Sequence, residues 1–267
     1  MAEALEALLR RDRWIVIGGI ALLSLIAWAW LLAGAGMGMS AIEMTRMVYS
    51  DHSAMKPGAP IEASWDATYW LVMFFMWWVM MAAMMLPSAA PTILLAAAIQ
   101  RKTTPGVAPF GETNQFTLGY LLAWGGFSLL ATAAQWWLEQ SGLLSSMTLV
   151  ATRRSLGAAL LLATAAWQFT PLKQACLRHC RSPVQFLVAR RGRGAFLMGL
   201  EHGAWCLGCC WFLMSLLFVG GVMNLIWIAG LSIFVLVEKL LPQGRRIGYL
   251  MGVALAGCGL LLLVDLR

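Results

Sequence analysis

The sequence predicts an all-α protein, a single bundle of about seven helices over residues 1–267 that crosses a lipid bilayer. Three observations support this fold class. The chain is 61% hydrophobic and only 12% charged, with a mean hydropathy of +0.76, whereas soluble domains carry about 25% charged residues. Apolar runs of about 20 residues, the length that crosses the hydrocarbon core, recur along the chain. Lysine and arginine concentrate between these runs, as they do in membrane proteins.

The predicted spans are defined by the apolar runs and by the residues that end them. The first run is longer than the roughly 7–15 apolar residues of a signal peptide, so we expect it to remain as a span. The second ends at Pro87 and Pro91, since proline interrupts helices. Residues 139–152 are expected to form a short helix on the membrane surface. The spans are 14–33, 66–86, 116–138, 155–170, 195–219, 222–241 and 247–265.

The distribution of basic residues predicts an orientation with the N-terminus inside and the C-terminus outside. The loops 100–115, 171–194 and 242–246 hold most of the lysines and arginines, whereas the methionine-rich loop 34–65 holds few. Cytoplasmic loops carry such an excess, so we expect 171–194 to be a basic cytoplasmic loop and 34–65 an outer loop. The net charge of +7 arises largely from such loops, and we therefore expect no nucleic-acid binding.

The fifth span carries a face of imidazole, thiol and thioether groups. Helical side chains are about 100° apart, so these groups share an arc of about 120°; they are Met198, His202, Cys206, Cys209 and Cys210. Such soft ligands suit Cu(I) best and zinc less well, and ionisable groups at membrane depth favour a functional role. Alternatively, the cysteines pack as small apolar residues. No cysteine lies in a predicted outer loop, which argues against an extracellular disulfide framework.

A row of methionines lies along the second span. Met73, Met76, Met80 and Met84 fall within about 80° of one another and extend over about 16 Å of helix. Thioethers bind Cu(I) and have little affinity for hard cations, so this methionine row is a second candidate metal site. Methionine is also an adaptable packing residue, so the alternative that the row serves only packing stays open.

Two loops contain weaker metal candidates. The outer loop includes Met37, Met39 and His52, and thioethers survive outside the cell better than thiols do. In the basic loop, Cys176 and Cys180 are one helical turn apart, with His179 beside Cys180, and nearby arginines favour thiolate. For both groups the alternative is that the side chains do not bind a shared metal ion.

Other chemistry has little support in the sequence. It contains no P-loop, no acidic metal cluster and no nucleophile elbow, so we do not expect an enzyme or ATP-driven transport. Glu238 and Lys239 are expected to pair with each other at a helix end.

Three motifs resemble a bacterial family of predicted metal-binding integral membrane proteins, some of which are labelled copper chaperones and which otherwise form a domain of unknown function. The motifs are MMAAMMLPSAAP at 80–91, TPLK at 170–173 followed by Cys176 and Cys180, and the CLGCC segment between Gly199 and Met214. The resemblance covers residues 65–265 or so. It implies a metal, with copper favoured, at the matching methionine, histidine and cysteine positions.

The main functional hypothesis is a multi-pass protein of the bacterial inner membrane that handles Cu(I) through these ligands. Delivery to a client copper enzyme, exchange with a copper chaperone and transport across the membrane all stay open. One alternative is a thiol–disulfide or quinone oxidoreductase that uses Cys206 and Cys209. Another is a structural subunit of a membrane complex that holds no metal.

Overall fold

The computed structural model describes residues 2–49, 65–103, 110–190 and 192–264. Within these ranges the only extended pairing is an isolated antiparallel bridge between Leu144 and Ala151, so the predicted all-α class is confirmed. The helices are α1 Ala2–Leu32, α2 Ala41–Tyr49, α3 Ala67–Thr103, α4 Phe110–Gln140, α5 Arg154–Phe169, α6 Pro171–Arg181, α7 Pro183–Ala189, α8 Ala195–Ser215, α9 Leu217–Gly220, α10 Leu225–Leu240 and α11 Gly244–Val264.

Five of the described segments are long and apolar enough to cross a membrane: Arg13–Leu32, Ala67–Arg101, Gly111–Gln140, Ala195–Gly220 and Gly244–Val264. Helices α5 and α6 form a pair bent by 66° that would make a sixth. Helix α10 has 16 residues, fewer than the about 20 that cross the hydrocarbon core unaided. The helical architecture is therefore established, with several helices long and apolar enough to cross a membrane, whereas the count of seven spans and the orientation stay predictions.

Helix α3 does not end at its prolines. It continues through Pro87 and Pro91 to Thr103, so the predicted interruption at Pro87 is wrong. Proline removes one backbone donor and bends the helix, and in membranes neighbouring helices commonly supply replacement donors. The prolines free the carbonyls of Ala83 and Pro87. In the turn just before Pro87, neighbouring helices contact the backbone, since the Tyr120 hydroxyl donates to the Met85 carbonyl at 3.2 Å and the Ser232 hydroxyl donates to the Met84 carbonyl at 3.3 Å.

Parts of the predicted loops are helical. In the methionine-rich segment, Ser40 begins α2 through a capping box, because its backbone N–H donates to Glu43 at 2.9 Å and its hydroxyl accepts from the Glu43 N–H at 3.3 Å. The hydrogen bonds from Ser40 hold the pKa of the Glu43 carboxyl below its usual value. The basic segment 171–194 contains α6 and α7, each of which begins with proline at its first turn. Residues 141–152, by contrast, form turns rather than the expected surface helix.

Helices α4 and α8 pack closely, and glycines permit their short spacing. A Cβ at Gly199 would collide with the Phe116 carbonyl, and a Cβ at Gly119 would collide with the Phe196 carbonyl. Small residues let membrane helices approach in this way. The contact sets the thiol face of α8 directly against Tyr120 on α4.

We expect Gly119→Ala to destabilise the protein by about 1–3 kcal/mol, because the new methyl group meets backbone atoms that cannot rotate away. Gly126→Ala on the same helix is the matched control, since a Cβ there has no neighbour within 4 Å. It should be neutral or stabilising by up to about 1 kcal/mol. Chemical unfolding in detergent micelles measures both. Equal effects of the two variants would contradict the close packing of α4 on α8.

Candidate metal centre

The thiol face of α8 is buried inside the bundle. Cys206, Cys209 and Cys210 are each at most 1% exposed. The thiols of Cys209 and Cys210 both donate to the Cys206 carbonyl at 3.0 Å, which holds their sulfur atoms on one side of the helix. The predicted side-by-side arrangement of these thiols is therefore present, and it faces protein rather than lipid.

A fourth thiol comes from another helix. Cys180 on α6 adjoins the thiols of Cys206 and Cys209, and its side chain is half-buried. Cys210 adjoins the same two thiols. We refer to Cys180, Cys206, Cys209 and Cys210 as the sulfur cluster. Cys176, one turn earlier on α6, packs against the backbone of α8 instead, since a Cβ at Gly208 would lie 2.6 Å from its sulfur.

Two polar side chains that the sequence analysis overlooked contact this cluster. The Lys239 ammonium donates to the Cys206 sulfur at 2.9 Å and to the Ser88 hydroxyl at 3.2 Å. The Tyr120 hydroxyl lies 3.2 Å from the same sulfur. A lysine inside an apolar run is itself a signal of function at membrane depth. Its charge offsets the negative charge that thiolates would place in a medium of low dielectric constant.

The expected pairing of Glu238 with Lys239 is wrong. Adjacent residues on a helix point in directions about 100° apart and do not face each other. Glu238 instead forms an ion pair with Lys173 of α6 at 2.5 Å, and both side chains are at most 1% exposed. Lys173 also donates to the Gln168 amide oxygen. The pair therefore joins α10 to α6, the helix that carries Cys180.

His202 lies beside the cluster in an aromatic pocket. Its side chain is 3% exposed, and its ring centroid is 5.9 Å from those of Phe116 and Tyr120 and 5.5 Å from that of Phe186. Within the described residues, its Nδ1 atom has no hydrogen-bond partner. A buried polar atom without a partner costs free energy, and a neutral imidazole nitrogen of this kind is a common metal ligand.

The methionine row is also buried. Met73, Met76, Met80 and Met84 are all at most 1% exposed. One end of the row lies near the sulfur cluster, because Tyr120 contacts both the Met85 carbonyl and the Cys206 sulfur. At the other end, the Gln135 amide donates to the Met73 sulfur at 3.3 Å.

The remaining candidates lie apart from the cluster. Met198 lines a separate cavity of about 520 Å³ with residues such as Phe116 and Arg193. The exposed His179 stacks on Trp205 with ring centroids 4.1 Å apart. Met37 and Met39 are half-buried in the turn after α1. His52 is outside the described residues.

The side chains are close but are not yet arranged as a coordination sphere. Among the described residues, no three His, Cys, Asp or Glu side chains surround a common point that could hold an ion. All six cysteines are free thiols, and those of Cys209 and Cys210 donate to the Cys206 carbonyl. The arrangement is therefore a group of soft donors on two helices, with a compensating cation and an unpartnered imidazole beside it.

Comparison with known proteins assigns the chain to a family. A family model, PpoB2, described as copper chaperone, matches residues 74–262, more than half of the chain. The chain belongs to this copper-chaperone family. The resemblance seen in the sequence is thereby confirmed. The part that matches the copper-chaperone family includes the sulfur cluster, His202, Lys173 and Lys239, whereas Met73 lies one residue before it. No curated protein and no solved structure matches the chain.

Proposed function

We propose that the protein binds Cu(I) within the membrane and passes it to an acceptor, with the sulfur cluster as the main binding site. The observation that carries this proposal is that three thiols of α8 are buried beside His202, with the half-buried Cys180 of α6 next to two of them. Thiolate and imidazole ligands suit Cu(I), and family membership favours copper over zinc.

Binding would remove protons from the cluster. Thiols must lose their protons to bind a metal, so the ion would replace the protons that Cys209 and Cys210 now donate to the Cys206 carbonyl. Each thiolate adds a negative charge, and the Lys239 ammonium at 2.9 Å from the Cys206 sulfur offsets part of it. His202 could contribute as a neutral ligand through its free Nδ1 atom.

The methionine row supplies a route of increasing affinity. Thioethers are neutral and release Cu(I) more readily than thiolates do, so an ion that enters at Met73 would move towards the cluster. Arginine-rich segments lie at the end of the bundle where α6, α7 and the start of α8 meet. That end would meet the acceptor, for which a copper enzyme or a soluble chaperone is the expected class of partner. Whether the ion is delivered or fully transported, the same ligands would serve.

The test is the copper content of protein purified without oxygen. We expect Cys206→Ser combined with Cys209→Ser to remove most of the bound copper, because two of the four thiols disappear. Cys258→Ser is the matched control, since Cys258 is exposed and lies outside the cluster, and it should retain wild-type copper. An unchanged copper content in the double variant contradicts the proposal. Wild-type protein that holds no metal but loses two hydrogens per molecule on oxidation would favour the oxidoreductase.

A further inference from the structure

A chain of polar side chains covers the Met73 end of the methionine row. The Trp65 indole donates to one carboxylate oxygen of Glu139 at 3.0 Å, and the Gln135 amide donates to the other at 2.9 Å. The same Gln135 amide nitrogen donates to the Met73 sulfur at 3.3 Å, and its oxygen accepts from the Trp77 indole at 2.8 Å. A carboxylate is thus linked to the first thioether of the row through a single amide group.

Helix stability does not explain the position of Glu139. It lies in the last turn of α4, which ends at Gln140, where the helix dipole disfavours negative charge. It is half-buried and it adjoins Gln135, which is fully buried. This position of an ionisable group costs free energy, and such groups in membrane proteins usually have a functional role.

A cation bound by neutral thioethers would be stabilised by a negative charge nearby. A cuprous ion surrounded by neutral sulfur atoms keeps its full positive charge in a medium of low dielectric constant. The Glu139 carboxylate and the Met73 sulfur both accept a hydrogen bond from the Gln135 amide nitrogen. The carboxylate oxygen and the sulfur therefore lie within about 6 Å of each other, a distance at which opposite charges attract strongly inside protein. The carboxylate can therefore stabilise a cation that has just left water and reached Met73.

The turn after α1 lies at the same end of α3. A Cβ at Gly36 would lie 3.6 Å from the Val72 side chain, so the turn that holds Met37 and Met39 packs one residue away from Met73. Both methionines are half-buried. Two further thioethers therefore lie in a turn at the same end of α3 as the Glu139 network.

We propose that Glu139, Gln135 and Met73 form a loading site for soft monovalent cations, Cu(I) or its analogue Ag(I). The carboxylate attracts the cation, the Gln135 amide gives up its hydrogen bond to Met73, and the freed sulfur takes the ion. No covalent bond forms and no electron is transferred. The inference rests on the proposed function, since it concerns how the ion reaches the sulfur cluster.

The experiment measures the rate at which Ag(I), which is not oxidised by air, loads the reduced full-length protein in detergent. Glu139→Gln keeps the shape and removes the charge, and we expect loading to slow by about tenfold or more, within the range by which local charge raises association rates. The final Ag(I) stoichiometry should stay at the wild-type value, because the sulfur cluster is intact. Glu112→Gln is the matched control, since it removes an exposed carboxylate from the opposite end of the same helix, and it should load at the wild-type rate.

A second variant covers the case in which Glu139→Gln fails to fold. Met73→Leu conserves volume, which a packed core tolerates well, and we expect it to slow loading by a similar factor. Wild-type rates in either variant overturn the loading site. The proposed function fails by a different result, namely an Ag(I) stoichiometry that Cys206→Ser with Cys209→Ser leaves unchanged, whatever the rates at Glu139.

Discussion

Replacement of Glu238 by leucine is expected to destabilise the folded protein by about 3–5 kcal/mol, because it leaves the Lys173 ammonium buried without a counter-ion, with only the neutral Gln168 amide oxygen as its partner. Both side chains of this ion pair are at most 1% exposed, and their charged atoms lie 2.5 Å apart. Such a charge has neither water nor a counter-ion to stabilise it. Chemical unfolding in detergent, followed by tryptophan fluorescence, measures the loss.

The reverse substitution and the double variant make this result interpretable. Lys173→Met alone should cost a similar amount, whereas Lys173→Met with Glu238→Leu should recover most of the stability, since an apolar pair of similar volume needs no solvation. Glu201→Gln is the control for an ion pair near the surface, because Glu201 binds Arg190 and is 20% exposed. It should cost no more than about 1 kcal/mol. A double variant as unstable as either single variant would contradict our account of the pair.

The second large effect separates two cysteines on one helix. Cys180→Ser should weaken Cu(I) binding by at least about 100-fold, because the proposed site would lose one of its direct ligands. Loss of an outer-shell partner typically costs up to about 100-fold, and loss of a ligand should cost at least as much. Cys176→Ser should leave the affinity within about threefold of wild type, since the Cys176 sulfur packs against the backbone of α8 at Gly208. Competition with a coloured Cu(I) chelator under reducing conditions gives both affinities.

The two variants discriminate well between the possible sites because the two residues have the same side chain and lie on the same helix. Both are cysteines on α6, one turn apart, and both substitutions exchange sulfur for oxygen at nearly constant volume. If the two variants lose affinity equally, the cluster is not the set of four thiols described here. If neither loses affinity, the ion lies elsewhere, and the methionine row becomes the next place to examine.

Much of the site follows from local periodicity. Residues that recur every three or four positions share one face of any helix, so the grouping of His202 with Cys206 and Cys209 needed no knowledge of the fold. The same rule aligned Met73 with Met84 and the residues between them. The structure adds that both faces are buried in protein. The sequence does not show this, because a helix that is apolar on all sides gives no sign of which side meets protein and which meets lipid.

The misjudged features all depend on neighbouring helices. Pro87 does not end α3, and the adjoining Met85 carbonyl receives a donor from Tyr120 on α4. Lys239 does not pair with Glu238, because the two point towards different helices. Glu139 and Gln135 attracted no attention in the sequence, since nothing local indicates that they meet Met73 on another helix.

The sequence by itself determined that the chain is helical with segments apolar enough to cross a membrane, that sulfur and imidazole share faces of two helices, and that soft metal chemistry suits them. Composition and helical periodicity carry that information, and both are properties of short segments. The tertiary structure alone decided that Cys180 adjoins the thiols of α8 while the Cys176 sulfur packs against Gly208, and that the Lys239 ammonium contacts Cys206. Those choices depend on which side chains meet between helices, and packing across the whole bundle sets the distances and rotations that bring them together.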